Sequence, residues 1–271
     1  MTQEIRRKLR LVQMDILDRV VQVCEANNIT YYLVAGTLLG AVRHGGFIPW
    51  DDDVDIAMPR RDYDRFYKLW CSMDDPLYDI RCFHTDRTYN KPYAKIQRRN
   101  TLLIERENQN LPSTNQKIFV DVFPLDNAFS THGIQWLQKK VVWKLVSFSQ
   151  KRYSAELSGK KSIYWLLPYG LLHHARQFVM KLVFWQNSRY YIGLGSQYSV
   201  DKQTFAKGVY NPPGSVVFEG KTYAAPRETD TFLKQLYGTR YMQPPPIDQQ
   251  KGHDVVCIRF DLDAVHSDEE I

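Results

Sequence analysis

Residues Leu33–Ile56 have the sequence LVAGTLLGAVRHGGFIPWDDDVDI, and this stretch decides the fold. Tyr31–Val34 is a short run of β-type residues, and the small residues that begin at Gly36 can form a helix directly after it. A glycine turn follows. Asp53–Met58 then alternates polar and apolar residues with a period of two, which predicts a second strand with two different faces. We therefore expect a strand, a helix and a strand in close succession.

The acidic residues of this stretch are the first candidates for chemistry. Asp51, Asp52, Asp53 and Asp55 place four negative charges within five residues. On an extended chain the three odd-numbered carboxylates share one face. Like charges this close repel each other, and a divalent cation between the oxygens relieves the repulsion. The spacing therefore predicts a site for one or two Mg²⁺ ions.

Another strand, later in the chain, supplies one more carboxylate. Ile118–Phe123 is apolar except for Asp121 at its centre, and a buried carboxylate needs a partner. A metal ion shared with Asp53 and Asp55 would supply that partner. The alternative is an acidic turn together with an unrelated, capped aspartate.

The start of the predicted helix is a candidate anion site. At Gly36-Thr37 the backbone N–H groups of the first turn are free, and the helix dipole attracts phosphate. An anion cradle, metal ligands and a third carboxylate are the parts that phosphoryl transfer requires.

Periodicity predicts the remaining elements. Apolar residues at helical spacing favour helices over Thr2–Glu25 and Arg61–Trp70. Further predicted elements are strands at Leu77–Phe83, Tyr93–Gln97 and Leu102–Glu105, a long helical region at His132–Leu194, loops and hairpins at Gly208–Ala225, and a helix at Arg227–Tyr237.

Composition places the 271-residue chain among ordinary globular proteins, with 44% hydrophobic and 24% charged residues. Its four cysteines are scattered without a C-x-x-C pair, so we expect reduced thiols and no structural zinc. Met1–Arg10 is charged and lacks a secretory signal, which favours a cytoplasmic protein. The apolar run Ile163–Trp185 contains too many polar groups to span a membrane.

Positive charge is concentrated in one segment. Lys139–Arg189 contains ten Lys or Arg and one acidic residue, a net +9, whereas the rest of the chain is −3. Aromatic residues alternate with these bases, a composition typical of a helix that faces anionic lipid. We therefore expect a protein peripheral to the inner face of the membrane. A nucleic-acid groove and a solvated basic face are the alternatives, and we expect no nucleic-acid partner.

Leu33–Ile56 closely resembles the LicD family of bacterial phosphotransferases, whose distant relatives include the fukutin-type transferases. Phe119–Asp126 resembles the second signature of that family. The residues Tyr237-Gly238, Pro244-Pro245 and His253 resemble its closing motif. The resemblance covers roughly residues 1–130 and 205–260 and leaves out the basic segment.

The resemblance implies an α/β (α+β) fold of the DNA polymerase β nucleotidyltransferase type, in which helices flank a mixed sheet. Residues 1–130 and 205–271 would form this catalytic core, and 131–204 would form a basic, aromatic-rich helical insertion. The implied activity is transfer of phosphocholine from CDP-choline to a sugar hydroxyl. The acceptor would be a cell-wall teichoic acid or a lipid-linked glycan precursor.

The resemblance also implies roles for individual residues. The metal ligands for Mg²⁺ or Mn²⁺ fall on Asp53, Asp55 and Asp121. Asp51 matches an acidic position, and either it or Asp121 would accept the proton of the attacking hydroxyl. Asp52 falls where we expect variation.

The substrate-binding candidates are Gly36, Thr37, Arg43, His44, Lys95 and His253. Arg43 and His44 are expected to hold the diphosphate of the nucleotide, although His44 is equally suited to capping the glycine turn. Two interpretations of Lys95 remain open: it neutralises phosphate, or it is simply an exposed lysine on a strand.

Three rival functions remain open at this stage. A nucleotidyltransferase or phosphotransferase with another nucleotide donor would keep the fold. A catalytically inactive, membrane-associated scaffold would not need the complete set of carboxylates. A nucleic-acid-processing enzyme would use the basic segment.

Overall fold

The structure, a computed structural model, describes residues 1–109, 116–159, 162–183 and 187–261. Four members of the basic, aromatic-rich segment lie outside these described residues, namely Lys160, Lys161, Phe184 and Trp185. The last ten residues of the predicted core, 262–271, also lie outside them.

The predicted helices are present among the described residues, together with two short ones that were not predicted, at Val200–Gln203 and Lys207–Tyr210. The helices are α1 Gln3–Ala26, α2 Ala35–His44, α3 Arg60–Ser72, α4 His132–Leu157, α5 Tyr169–Met180, α6 Val200–Gln203, α7 Lys207–Tyr210 and α8 Thr229–Tyr237. Short 3₁₀ helices are present at Arg106–Asn108, Ile163–Leu166 and Ile247–Gln249.

The predicted strands are present, together with three that were not predicted, at Tyr190–Ile192, Thr204–Ala206 and Val255–Arg259. The strands are β1 Tyr32–Leu33, β2 Asp55–Pro59, β3 Tyr78–Arg81, β4 Ala94–Arg98, β5 Leu102–Glu105, β6 Phe119–Asn127, β7 Tyr190–Ile192, β8 Thr204–Ala206, β9 Gly214–Phe218, β10 Lys221–Ala225 and β11 Val255–Arg259.

A mixed sheet forms the centre of the molecule, with the strand order β1-β2-β6-β4-β3. β2 and β6 are parallel, whereas β1 pairs antiparallel with β2 and β4 pairs antiparallel with β6 and β3. Two further pairs, β9–β10 and β5–β11, lie outside this sheet. The predicted α/β fold with a mixed sheet flanked by helices is confirmed.

Helix α1 packs against β4 and β6, while α3 packs against β2 and β6. Thr2 caps α1, because its hydroxyl accepts a hydrogen bond from the N–H of Ile5 at 3.3 Å. Apolar side chains at helical spacing, including Leu9, Ile16 and Val20, are fully buried. Packing against both helices contributes to the burial of β6, which is buried almost throughout.

A buried ion pair joins the start of α3 to the end of β6. Arg60 Nε lies 2.6 Å from Asp126 Oδ1, and a second guanidinium nitrogen lies 2.9 Å from Oδ2. Both side chains are at most 5% exposed. This two-point contact orients α3 relative to the strand that carries Asp121.

The basic segment contains a helical hairpin, in which α4 and α5 pack together. The prediction of helix through Leu194 is wrong for Tyr190–Ile192, which forms β7 and pairs with the end of β6. β6 extends past its partners β2 and β4, and there Asp126 and Asn127 pair with Ile192 and Tyr191, residue types that favour strands. None of the described helices combines the length and apolar character needed to cross a bilayer.

Candidate active site

The two strands β2 and β6 bring Asp55 and Asp121 side by side. These residues are direct partners in the parallel register, and the Asp121 N–H donates to the Val54 carbonyl at 2.9 Å. Neighbouring strands lie about 4.8 Å apart, so the two carboxylates project from adjacent positions. The predicted proximity of the two acidic segments is confirmed.

Asp53, Asp55 and Asp121 line one cavity of about 450 Å³. Its lining combines aromatic rings with glycine and polar residues. Other lining residues are Ala35, Lys91, Tyr93, Phe123, Trp143, Gly193, Gly195, Ser196, Tyr198, Gln203 and His253. A cavity of this size and mixed lining suits a small organic ligand that carries phosphate.

Repulsion within the cluster is visible in the pKa values of its carboxyl groups. Burial, reinforced by the charge of Asp51, raises the pKa of Asp53 to about 8. Burial also raises the pKa of Asp55 well above its ordinary value, and the charges of Asp53 and Asp121 add to the increase. The cluster therefore favours binding of a proton or a cation.

Lys95 supplies one positive charge to the cluster. Its Nζ lies 3.0 Å from Asp121 Oδ1, in an ion pair without hydrogen-bond alignment, and 3.1 Å from the centre of the Phe119 ring. The side chain is only 12% exposed. The expectation that Asp121 needs a partner is confirmed, and the interpretation of Lys95 as an exposed strand lysine is wrong.

Thr37 and Gly36, at the start of α2, hold the acidic residues in place. The buried hydroxyl of Thr37 accepts a hydrogen bond from the Asp55 N–H at 2.8 Å. A Cβ at Gly36 would lie 2.7 Å from Asp51 Oδ2, so only glycine permits this close approach. The N-terminus of α2 also faces the cavity, because Val34 and Ala35 line it.

Asp51 does not belong to the cavity lining. Strand β2 begins at Asp55, so the period-two pattern that was expected to align Asp51 with Asp53 and Asp55 does not extend back to it. Asp51 instead lies against Gly36, and its charge still acts on Asp53. Burial and the neighbouring charge of Asp52 raise the pKa of Asp51.

Asp52 and His253 form a contact that sequence reasoning missed. His253 Nδ1 lies 2.6 Å from Asp52 Oδ1, its backbone N–H donates to Oδ2 at 3.0 Å, and its Nε2 lies 3.8 Å from Asp53 Oδ2. The hydrogen bond to Asp52 raises the pKa of His253 to about 10, although burial opposes the increase. A cationic imidazole therefore stands at the cavity edge between two carboxylates.

Arg43 and His44 lie at the other end of α2, and neither lines the cavity. Arg43 donates to the Tyr241 carbonyl at 2.9 Å and to His44 Nε2 at 2.9 Å. A helix rises about 1.5 Å per residue, so the ten-residue α2 separates its two ends. The contact with the diphosphate expected for these two residues therefore stays a prediction.

Part of the cavity wall comes from the segment predicted as an insertion. Trp143 of α4 and six residues between Gly193 and Gln203 line the cavity, and a Cβ at Gly195 would lie 3.3 Å from Pro92 and 3.7 Å from Tyr93. The sequence signal available for this wall was the pair of glycines, Gly193 and Gly195.

The chemistry of the three carboxylates fits a divalent cation. Among the described residues, no three His, Cys, Asp or Glu side chains already converge as a metal-binding group. However, the carboxylates of Asp53, Asp55 and Asp121 line the same cavity, and carboxylate oxygens are hard ligands. The repulsion between these carboxylates favours binding of a cation. Side-chain rotation would be needed for all three to contact one ion.

A helix N-terminus beside paired aspartates on adjacent strands defines an enzyme that transfers phosphate-containing groups, with a nucleotidyltransferase-type core. The chain belongs to the LicD family. Residues 28–151 match the family described as "LicD/FKTN/FKRP, nucleotidyltransferase domain", and a full-length relative supports the assignment. The resemblance that Leu33–Ile56 predicted is confirmed.

Two named relatives agree on the class of activity. "Lipopolysaccharide cholinephosphotransferase LicD" of Haemophilus influenzae is 32% identical over 261 residues, covering 92% of this chain and 96% of the relative. "Ribitol 5-phosphate transferase FKRP" of Homo sapiens is 36% identical over 78 residues, covering 29% of this chain and 16% of the relative. The chain is a phosphotransferase, as the sequence predicted.

Proposed function

We propose that the protein transfers phosphocholine from CDP-choline to a sugar hydroxyl of a glycan. One observation carries this proposal: three carboxylates and several aromatic rings line the same cavity. The carboxylates suit the diphosphate end of the donor when a cation is bound. The aromatic rings suit the quaternary ammonium of choline.

The ammonium needs aromatic faces close to the reacting phosphorus, because two carbons separate it from the phosphate oxygen. Tyr93 lies two residues before Lys95, the partner of Asp121, and Tyr198 also lines the cavity. Trp143 adds a third ring from α4. Methyl groups on nitrogen gain from such faces, whereas the hydroxyls of a polyol need hydrogen-bond partners.

Asp53, Asp55 and Asp121 would hold Mg²⁺ or Mn²⁺. When bound, the ion would supply positive charge to the diphosphate as negative charge develops on the leaving group. The first-turn N–H groups of α2 would bind a phosphate oxygen, as predicted for Gly36-Thr37. His253, cationic between Asp52 and Asp53, would offset negative charge at the cavity edge.

The sugar hydroxyl would attack the phosphorus in line with the bond to CMP. The new bond joins the sugar oxygen to phosphorus, and the phosphorus–oxygen bond to CMP breaks. Of the two carboxylates expected to take the hydroxyl proton, Asp121 lines the cavity and Asp51 does not. We therefore assign this proton to Asp121.

The acceptor we propose is a teichoic acid or another lipid-linked glycan precursor. The Haemophilus influenzae relative is named for lipopolysaccharide, which is also a glycan attached to lipid. An acceptor of this kind lies at a membrane, so we place the protein in the cytoplasm, peripheral to the inner membrane face. We propose no nucleic-acid partner.

A panel of CDP-alcohols tests the donor. With Mg²⁺ present, we expect CMP release from CDP-choline to exceed release from CDP-ethanolamine and CDP-ribitol. The similarity to FKRP makes ribitol phosphate the second candidate, and faster turnover of CDP-ribitol would favour it. Absence of CMP release from every donor and acceptor would favour an inactive scaffold.

A further inference from the structure

Large apolar side chains are exposed mainly on one part of the molecule. Among the described residues, 11 of the 17 exposed large hydrophobic residues lie between Ile134 and Leu182. The 3₁₀ turn between α4 and α5 is the most exposed, with Ile163 at 75% and Leu166 at 77%. Apolar side chains concentrated at this exposure mark an interaction surface.

Exposed lysines stand beside these apolar residues on α4. Lys140, Lys144 and Lys151 follow at steps of four and seven, so they share one side of the helix, and all three are exposed. The exposed Leu137 and Val141, four residues apart, form an adjacent apolar row. We call these α4 residues and the turn Ile163–Leu166 the docking face.

Several bases of the +9 segment do not belong to this face. Lys139 is buried and donates to the Tyr198 carbonyl, and Arg176 is buried and donates to the Asn90 carbonyl. Lys181 forms an ion pair with Asp64 at 2.7 Å. Fewer positive charges are therefore accessible to solvent or a partner than the count from the sequence indicated.

We propose that the docking face binds an anionic lipid bilayer, with the turn Ile163–Leu166 inserted among the headgroups. Lysines beside apolar residues complement such a surface in both charge and hydrophobicity. A nucleic-acid groove would use the lysines but would have no need of two aliphatic side chains at an exposed turn. Lipid is therefore the occupant that accounts for both features.

Vesicle binding is measured without donor or acceptor, so it is independent of the proposed transferase activity. A protein that does not bind vesicles could still be a transferase, and an inactive protein could still bind vesicles. We expect the full-length protein to co-sediment with vesicles of phosphatidylglycerol and phosphatidylcholine at low salt. Binding should weaken strongly at high salt and with pure phosphatidylcholine. If the wild-type protein does not co-sediment with the anionic vesicles at low salt, the docking proposal is wrong.

The lysines are tested by replacing Lys140, Lys144 and Lys151 together with Gln. Partitioning should fall by about two orders of magnitude, because each lysine near an anionic surface contributes about fivefold. The matched control removes three positive charges elsewhere, at the exposed Arg61, Lys68 and Arg227. An equal loss of binding in this control would show a general charge effect and would overturn the assignment.

The turn is tested by the double variant Ile163→Ser/Leu166→Ser. It should weaken vesicle binding even at high salt, whereas Ile247→Ser, at a residue 86% exposed elsewhere, should have no effect. Two results would overturn the proposal. In the first, the double variant binds vesicles normally and RNA displaces the wild-type protein from vesicles. In the second, the wild-type protein is a dimer in solution and the double variant is a monomer.

Discussion

Replacing Thr37 by Val keeps the shape of a buried side chain and removes one hydrogen-bond acceptor. Thr37 is 2% exposed, and its hydroxyl accepts the Asp55 N–H at 2.8 Å. Valine leaves that N–H without a partner at the first residue of β2. An orphaned buried donor costs about 1–3 kcal/mol of unfolding free energy. For a chain of this size, each kcal/mol lowers the Tm by roughly 2–4 °C.

The same substitution should reduce turnover by more than the loss of stability explains. The hydrogen bond fixes the backbone from which the Asp55 carboxylate enters the cavity. A displacement of about 1 Å at a catalytic group can cost about a hundredfold in rate. We therefore expect kcat of Thr37→Val to fall by about 10- to 100-fold, with a smaller change in KM.

Thr37→Ser is the matched control, because serine keeps the hydroxyl and loses one methyl group. Its stability should fall by about 1 kcal/mol from the lost buried methyl, while its activity stays close to wild type. CMP release and urea unfolding on both variants give the comparison. Equal activity of Thr37→Val and Thr37→Ser would refute the positioning role, and a rise confined to KM would indicate direct contact with substrate phosphate instead.

The other predictions concern charge within the fold. Asp55→Asn should reduce CMP release by several orders of magnitude while the Mg²⁺-free Tm stays equal or rises, because it relieves like-charge repulsion; a clear fall in that Tm would contradict this. Asp121→Ala should abolish the increase in Tm that we expect Mg²⁺ to give the wild type, as followed by scanning fluorimetry. Arg60→Met should lose about 3–5 kcal/mol in urea unfolding because Asp126 stays buried without its partner, and adding Asp126→Leu should recover much of that loss. Burial lowers the pKa of Lys139 to about 8, so between about pH 8 and pH 10 only the unfolded lysine holds its proton. The unfolding free energy of the wild type, relative to that of Lys139→Met, should therefore rise by about 1.4 kcal/mol per pH unit in that range. If the two proteins show the same dependence of unfolding free energy on pH, the pKa of Lys139 is not lowered.

The features that sequence predicted well depend on neighbours along the chain. The first helix, predicted over Thr2–Glu25, is Gln3–Ala26, and the strands that carry Asp55 and Asp121 form where periodicity placed them. Apolar alternation and helix caps are local signals, so they determine elements without knowledge of the rest of the fold.

The features that sequence missed depend on contacts between distant segments. His253 reaches Asp52 across 201 residues, and no periodicity in either segment points to the other. The family resemblance led us to expect variation at Asp52, and it gave no sign of this contact. Lys139 was counted among the surface bases because charge alone cannot distinguish an exposed lysine from one that donates to a buried carbonyl.

Helix α4 connects the candidate active site with the docking face. Trp143 lines the cavity, and Lys139 donates to the carbonyl of Tyr198, another lining residue. Lys140 and Lys144 are exposed on the same helix, three residues before Trp143 and one residue after it. If these lysines lie on lipid, α4 holds the cavity wall at a fixed distance from the bilayer. A lipid-attached glycan would then approach the carboxylates alongside α4, whose diameter with side chains is about 10 Å. The basic segment would thus restrict which hydroxyls can attack, in addition to recruiting the enzyme to the membrane.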